Sequence, residues 1–199
     1  MTGWAAIVLA GGAARRMGGV DKPARPVGGR PMRDRVLAAV ADADVRILVG
    51  PAGPVPPGVR LTREDPPGGG PVAATAAGLA LLPAGTPTVA LLAADLPLLT
   101  GDAVRALRDR LDDPTMDGAC LVDPDGRRQP LCGVWRVAPL RAALDRLAVA
   151  RGGTLDGAAV RALLAGLAVC EVSWSGDGPP PWFDCDTDED VRRAEEWAR

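Results

Sequence analysis

A glycine- and arginine-rich stretch that directly follows an apolar run, LAGGAARRMGGVDKP at residues 9–23, carries the densest chemistry in this chain. Lys22 within it is the only lysine, whereas the other twenty-two basic residues are arginine. A composition that has drifted toward Arg, Ala, Gly and Pro and still keeps one lysine points to a position that requires an ammonium. An ammonium is a compact point charge that meets a phosphate oxygen end-on, whereas a guanidinium is a planar fork. Paired glycines leave backbone N–H groups free to cradle an anion, and Arg15 and Arg16 add positive charge. The stretch therefore reads as a triphosphate grip on an exposed loop. It is not a Walker A motif, because Lys22 follows Asp21 and precedes Pro23 rather than Ser or Thr, and its glycines lack the spacing of a dinucleotide fingerprint. The structural alternative is a turn with solvated arginines.

Three further segments carry candidate groups. Asp95 in AADLPLLT ends an apolar strand, and Pro97 stops the pairing. A hard cation such as Mg²⁺ takes one or two carboxylates plus substrate phosphates, and Asp95 is a candidate ligand or else a turn aspartate. EDPPGGGP, residues 64–71, places three glycines before a helix, so backbone can approach a ligand closely. Glu64 or Asp65 there can accept from a base or ribose. In WFDCDTDED, residues 182–190, an extended backbone points Asp184 and Asp186 to the same side. Asp186 is a candidate for the metal or the second substrate, while Thr187 with Asp190 three residues later resembles a capping box.

What the chain lacks narrows the chemistry further. It has no His, Tyr or Asn, a single Gln at position 129 and a single Phe at position 183. Without histidine there is no Ser-His-Asp or Cys-His catalysis, no His-ligated zinc and no imidazole acid/base. Phosphoryl-type transfer suits the remaining inventory, since positioning and charge neutralisation do most of its work. A net charge of −2 argues against nucleic acid as a partner. Cys120, Cys132, Cys170 and Cys185 are scattered without a Cys-x-x-Cys pair, so buried reduced thiols are expected rather than a zinc site. Residues 4–9 are too short for a secretory segment and no apolar run spans a bilayer, so a soluble cytoplasmic protein is expected.

The elements that must position these groups alternate. Strands are predicted at residues 4–10, 45–49, 59–62 and 88–94, with helices at 31–41, 72–82 and 101–111, the last started by Asp102. Continuous apolar strands alternating with helices imply a mostly parallel sheet covered on both faces, an α/β class. The second half is less regular: strands at 118–122 and 130–136 joined through DPDGRR as a possible hairpin, helices at 139–148 and 157–167, a strand at 169–174, and a helix at 188–197 capped by Thr187. Residues 1–199 are expected to form one domain, its C-terminal portion lying irregularly over one end of the sheet. Ligands of such a sheet sit beyond the carboxyl ends of its strands, where all four segments converge.

LAGGAARRMGGVDK resembles the signature of the molybdenum cofactor guanylyltransferase family and of related nucleotidyltransferases. The resemblance extends in order through GPVAA (70–74), the strand-ending Asp95 to Pro97, QPL (129–131) and DCDTDED (184–190). It implies a Rossmann-like three-layer nucleotidyltransferase fold that binds GTP with Mg²⁺ and transfers GMP to the phosphate of the molybdopterin cofactor, releasing pyrophosphate. By the same resemblance Leu9, Ala10, Gly11 and Gly12 would line the nucleotide, with Lys22 on its phosphates, Asp65 an acidic nucleotide contact and Asp95 the metal ligand, joined by Asp186. Gln129, Asp184 and Asp186 would face the acceptor. Two departures stand out: Gly50-Pro51 where many members place an Asn after the second strand, and Asp184-Cys185-Asp186-Thr187 where many have Asn-x-Asn-Thr. The second resembles the carboxylate form of cytidylyl- and other nucleotidyltransferases, so CTP or another nucleotide, or a different phosphorylated acceptor, stays open.

In the expected reaction the acceptor phosphate is already anionic and needs no general base. The task is bringing two anions together, with Mg²⁺ on Asp95, Lys22 and Arg16 neutralising the α-phosphate and the departing pyrophosphate. Competing readings are a nucleotide-binding regulatory module without turnover and, against the missing fingerprint, an NAD-dependent oxidoreductase.

Overall fold

The computed structural model describes residues 3–11 and 22–199. In chain order its elements are β1 (Trp4–Leu9), the two-residue strands β2 (Pro26–Val27) and β3 (Arg30–Pro31), α1 (Met32–Ala39), β4 (Val45–Val49), β5 (Val59–Thr62), α2 (Pro71–Ala80), β6 (Thr88–Ala93) and α3 (Gly101–Asp109). They continue with β7 (Gly118–Val122), β8 (Arg128–Arg136), α4 (Val137–Ala150), the one-turn α5 (Val160–Leu163), β9 (Val169–Ser173) and α6 (Asp188–Trp197).

Seven strands form one sheet in the order β5-β4-β1-β6-β8-β7-β9. Only β8 runs against the others: it pairs antiparallel with both β6 and β7, and β9 returns parallel to β7. Every residue of the central strand β1 is buried. Its side chains divide by the strand's period of two, with Trp4, Ala6 and Val8 packing into one apolar cluster and Ala5, Ile7 and Leu9 into another. The first cluster includes α1 and α3 through Val36, Leu37, Val104 and Leu107; the second includes α2 and α4 through Val72, Leu79, Leu140 and Leu144. The result is the expected three-layer α/β arrangement with a mostly parallel sheet. Close layering depends on glycine at Gly78 of α2, where a Cβ would lie 2.7 Å from Cγ2 of Ile7.

Several expectations need correction. Only part of the C-terminal half lies over one end of the sheet, through residues 182–187 beside Asp95; β7, β8 and β9 instead extend the plane of the sheet, because the hairpin through residues 123–127 pairs β8 onto β6. Helix α3 is capped by Thr100, whose hydroxyl accepts from the Ala103 N–H at 3.2 Å, rather than by Asp102. An N-cap side chain must reach an amide two or three residues on from an extended backbone; Asp102 lies already inside the helix and pairs with Arg105. The helix expected at 157–167 shrinks to α5, flanked by Gly157 and Gly166 at φ of +66° and +84°. Strands β2 and β3 lie in what the sequence reads as loop and helix start, being too short for an apolar pattern.

Candidate active site

The parallel ladder continues just past the strands at one edge: the Ala10 N–H donates to the Val49 carbonyl at 2.7 Å and the Ala94 N–H to the Leu9 carbonyl at 3.0 Å. This fixes Ala10 and Gly11 beside Asp95. At that edge a cavity of about 750 Å³ is lined by Leu9, Ala10, Gly11, Lys22, Asp95 and Gln129, and also by Trp182, Asp184 and Asp186. Residues from four separate sequence segments thus share one space. Arg16 and Gly12 lie outside the described residues.

Lys22 is the hub. Its Nζ donates to Asp95 Oδ2 at 2.6 Å and to Asp186 Oδ1 at 2.7 Å, joining positions 73 and 164 residues away in sequence. Its side chain is only 13% exposed, so the expectation of an exposed loop position is wrong for the side chain. Burial works against the ammonium, but the hydrogen bonds it donates to Asp186 and Asp95 and their charges outweigh it and hold its pKa above the ordinary lysine value. Lys22 is therefore charged at neutral pH. An ammonium has three N–H donors, so one remains for an anionic ligand.

Asp186 reaches this position through its neighbours. The Cys185 N–H donates to the Asp95 backbone carbonyl at 3.1 Å. The Cys185 side chain, fully buried, packs with Met32, Leu98, Val191 and Ala194. With residue 185 facing that cluster, the extended backbone turns Asp184 and Asp186 toward the cavity. Thr187 and Asp190 form the expected capping box at the start of α6, so the segment presents carboxylates at 184 and 186 and supports a helix at 187. Partial burial, and then the charge of Asp186, raise the Asp184 pKa above its ordinary value. Asp95, Asp184 and Asp186 line the same cavity as Lys22, and the first and last of them pair with its ammonium. Asp95 and Asp186 offer hard carboxylate oxygens of the kind Mg²⁺ takes. Among the described residues no group of three or more candidate metal ligands gathers.

The glycine loop at 68–70 is built for close backbone approach. Gly68 and Gly70 adopt φ of +90° and +89°, and a Cβ on Gly69 would lie 2.6 Å from Asp156 Oδ1. Asp65 is exposed, and the cavity is lined without it, whereas its neighbour Glu64 is buried. Gly50 offers no side chain, and a Cβ there would meet the Ala10 Cβ at 3.0 Å, so the departure at this position matches a tight strand end. On the opposite wall Gln129 lines the cavity and donates to Asp123 Oδ2 at 3.3 Å. Trp182, Leu131 and Val160 add apolar surface that sequence reasoning did not single out; only the placement of Trp182 two residues before Asp184 hinted at it. The described cysteines form no disulfides, and burial pushes the Cys132 thiol in the cavity wall up to about 12, too high for a nucleophile. Among the described residues no helix is long and apolar enough to cross a membrane.

Residues 6–170 match the family of the MobA-like NTP transferase domain. Over 200 residues the chain is 32% identical to the molybdenum cofactor guanylyltransferase of a Bradyrhizobium species, covering 96% of this chain and 92% of that protein. Among solved structures, molybdopterin-guanine dinucleotide biosynthesis protein A from Archaeoglobus fulgidus superposes with a TM-score of 0.73 at 19% identity, over 96% of this chain and 97% of that one. The 2-C-methyl-D-erythritol 4-phosphate cytidylyltransferase of Francisella tularensis superposes with a TM-score of 0.75 at 14% identity, over 99% and 100%. At these identities the two structures speak to the fold alone.

Proposed function

The chain belongs to the MobA-like NTP transferase family, and on that premise we propose that it transfers GMP from GTP to the phosphate of the molybdopterin cofactor in the cytoplasm. An acceptor phosphate oxygen bonds to the α-phosphorus, the bond from the α-phosphorus to the bridging oxygen of the β-phosphate breaks, and pyrophosphate leaves. The observation that carries this reading is Lys22 held between Asp95 and Asp186 in a cavity reached by the β1 end, the β6 end and the 182–187 segment.

The backbone of Leu9, Ala10 and Gly11 would hold the nucleotide against the carboxyl end of β1, with Pro71 at the start of α2 beside it. Lys22 would bring its remaining N–H to a phosphate oxygen and offset charge passing to the leaving group, an effect that needs no proton transfer. Asp95 and Asp186 would hold Mg²⁺, which supplies Lewis-acid neutralisation of the phosphates when bound. Trp182, Leu131 and Gln129 would receive the acceptor, the apolar surface taking its ring system and the amide a polar edge. A chain without histidine can run this chemistry because the nucleophile arrives ionised.

The test is pyrophosphate release and formation of the guanine dinucleotide on mixing the protein with Mg²⁺, GTP and molybdopterin cofactor, with CTP and ATP in parallel. Turnover restricted to GTP is expected. Turnover with CTP alone would reassign the nucleotide, and binding without any turnover would favour the regulatory module.

A further inference from the structure

Asp123, the first residue of the hairpin turn between β7 and β8, gives its two oxygens different tasks. Oδ1 accepts from the Asp125 N–H at 3.0 Å and the Arg127 N–H at 2.8 Å, which closes the turn around Gly126 at φ of +76°. The turn is complete with that oxygen. Oδ2 accepts instead from Nε2 of Gln129 at 3.3 Å, and the Arg127 carbonyl accepts from the same nitrogen at 3.5 Å. The strand beyond is irregular at this point. β7 and β8 pair Cys120 with Gly133 but Leu121 with Gln129, so residues 130–132 bulge out of the β7 ladder. Pro130 has no N–H to lose there. Bulges beside a site re-aim side chains, and Gln129, Pro130, Leu131 and Cys132 all line the cavity.

A carboxylate and a carbonyl only accept, so the Gln129 amide turns its nitrogen to them. The end left for a ligand is the carbonyl Oε1, an acceptor. Resting on the reading of the molybdopterin cofactor as acceptor substrate, we infer that Asp123 is a positioning residue for that substrate. It locks the Gln129 amide so that the cavity is offered a carbonyl oxygen and not an NH₂ group. Such an oxygen selects an N–H donor on the edge of a ring system, and a pterin carries this chemistry in its 2-amino group and ring N–H. An untethered amide presents either end at little cost. A fixed one discriminates, because a ligand that brings the wrong polarity leaves both groups without a partner.

Asp123→Asn separates the two tasks. Its amide oxygen can still accept from the turn N–H groups, while its nitrogen now faces Gln129, whose amide must reverse and turn its NH₂ toward the ligand. Steady-state pyrophosphate release is measured for wild type, D123N, Q129A and D123N/Q129A over a range of molybdopterin cofactor and of Mg²⁺ with GTP, alongside thermal unfolding. D123N is expected to unfold normally and to raise KM for the cofactor on the order of tenfold, with kcat and KM for GTP within about twofold of wild type. In the Q129A background the same change is expected to move that KM no further, since the group it acts through is gone. An unchanged cofactor KM in D123N overturns the inference. So does an increase equally large with and without Gln129, which would assign the effect to the hairpin itself. An unchanged cofactor KM in Q129A overturns it whether or not D123N folds. Wild type that releases no pyrophosphate with the cofactor and any of GTP, CTP or ATP overturns the acceptor reading, with no variant involved, and the role of Asp123 with it.

Discussion

Replacing Lys22 tests the centre of the site. Its Nζ lies 2.6 Å from Asp95 and 2.7 Å from Asp186, with its side chain 13% exposed and that of Asp95 23% exposed. Lys22→Ala therefore removes the ammonium held between the two carboxylates and takes from the partly buried Asp95 its ion pair at 2.6 Å. Two effects are expected. The first is catalytic: a group that acts on charge developing in the transition state is worth on the order of a hundredfold or more in rate. The second is structural, a stability loss of about 1–3 kcal/mol for stranding a charged hydrogen-bond acceptor, which moves the melting temperature by roughly 2–4 °C per kcal/mol in a chain of this size. Steady-state pyrophosphate release and a thermal melt read them separately. Lys22→Arg should restore much of the stability but little of the rate, since a planar fork cannot satisfy two carboxylates and still present a point charge to phosphate in this enclosed position. Pairing Lys22→Ala with Asp95→Asn should recover stability, because the partly buried charge left by the first change goes with the second. Lys22→Ala activity within a few-fold of wild type, or full activity in Lys22→Arg, would refute the assignment.

Asp95→Asn keeps the shape and loses the charge, so Mg²⁺-dependent turnover should disappear; a variant that keeps its rate and its metal titration would return Asp95 to a turn role. Asp186→Ala should impair turnover or raise the Mg²⁺ requirement with little change in melting temperature. Thr187→Ala, whose hydroxyl takes part in the capping box with Asp190, should cost about 0.5–2 kcal/mol of stability with normal kinetics; equal kinetic defects in the two would show helix positioning mistaken for chemistry. The raised Lys22 pKa makes its contribution to stability fully present below pH 10.5 and lost as pH rises through the folded value. The stability gap between wild type and Lys22→Ala should thus be level from pH 7 to 10 and close above that range, and a gap that closes below pH 9 would contradict it.

Local pattern was enough for the layers of this fold. The apolar runs of β1, β4 and β6 and the helical spacing of Val36, Leu37 and Val40 are short-range signals, and burial on both faces is what makes a parallel strand read as continuous. The unique lysine, the aspartate ending β6 and the DCD spacing were likewise legible, because residue type and period two constrain where a side chain points. Partnership was not legible. That Lys22 meets both Asp95 and Asp186 depends on a backbone bond from Cys185 to Asp95 and on Cys185 packing under α6, contacts between segments far apart in sequence. Nor could the sequence choose between adjacent acids: Glu64 and Asp65 differ by one methylene, yet the turn through Gly68 buries the first and exposes the second. The sequence by itself determined the alternating α/β layers and the kinds of group available for the chemistry, since both follow from residue types and their period. Only the tertiary structure decided which of those groups share a cavity and which are shut away from water, because burial and pairing are set by the elements that pack around a residue and not by its neighbours in the chain.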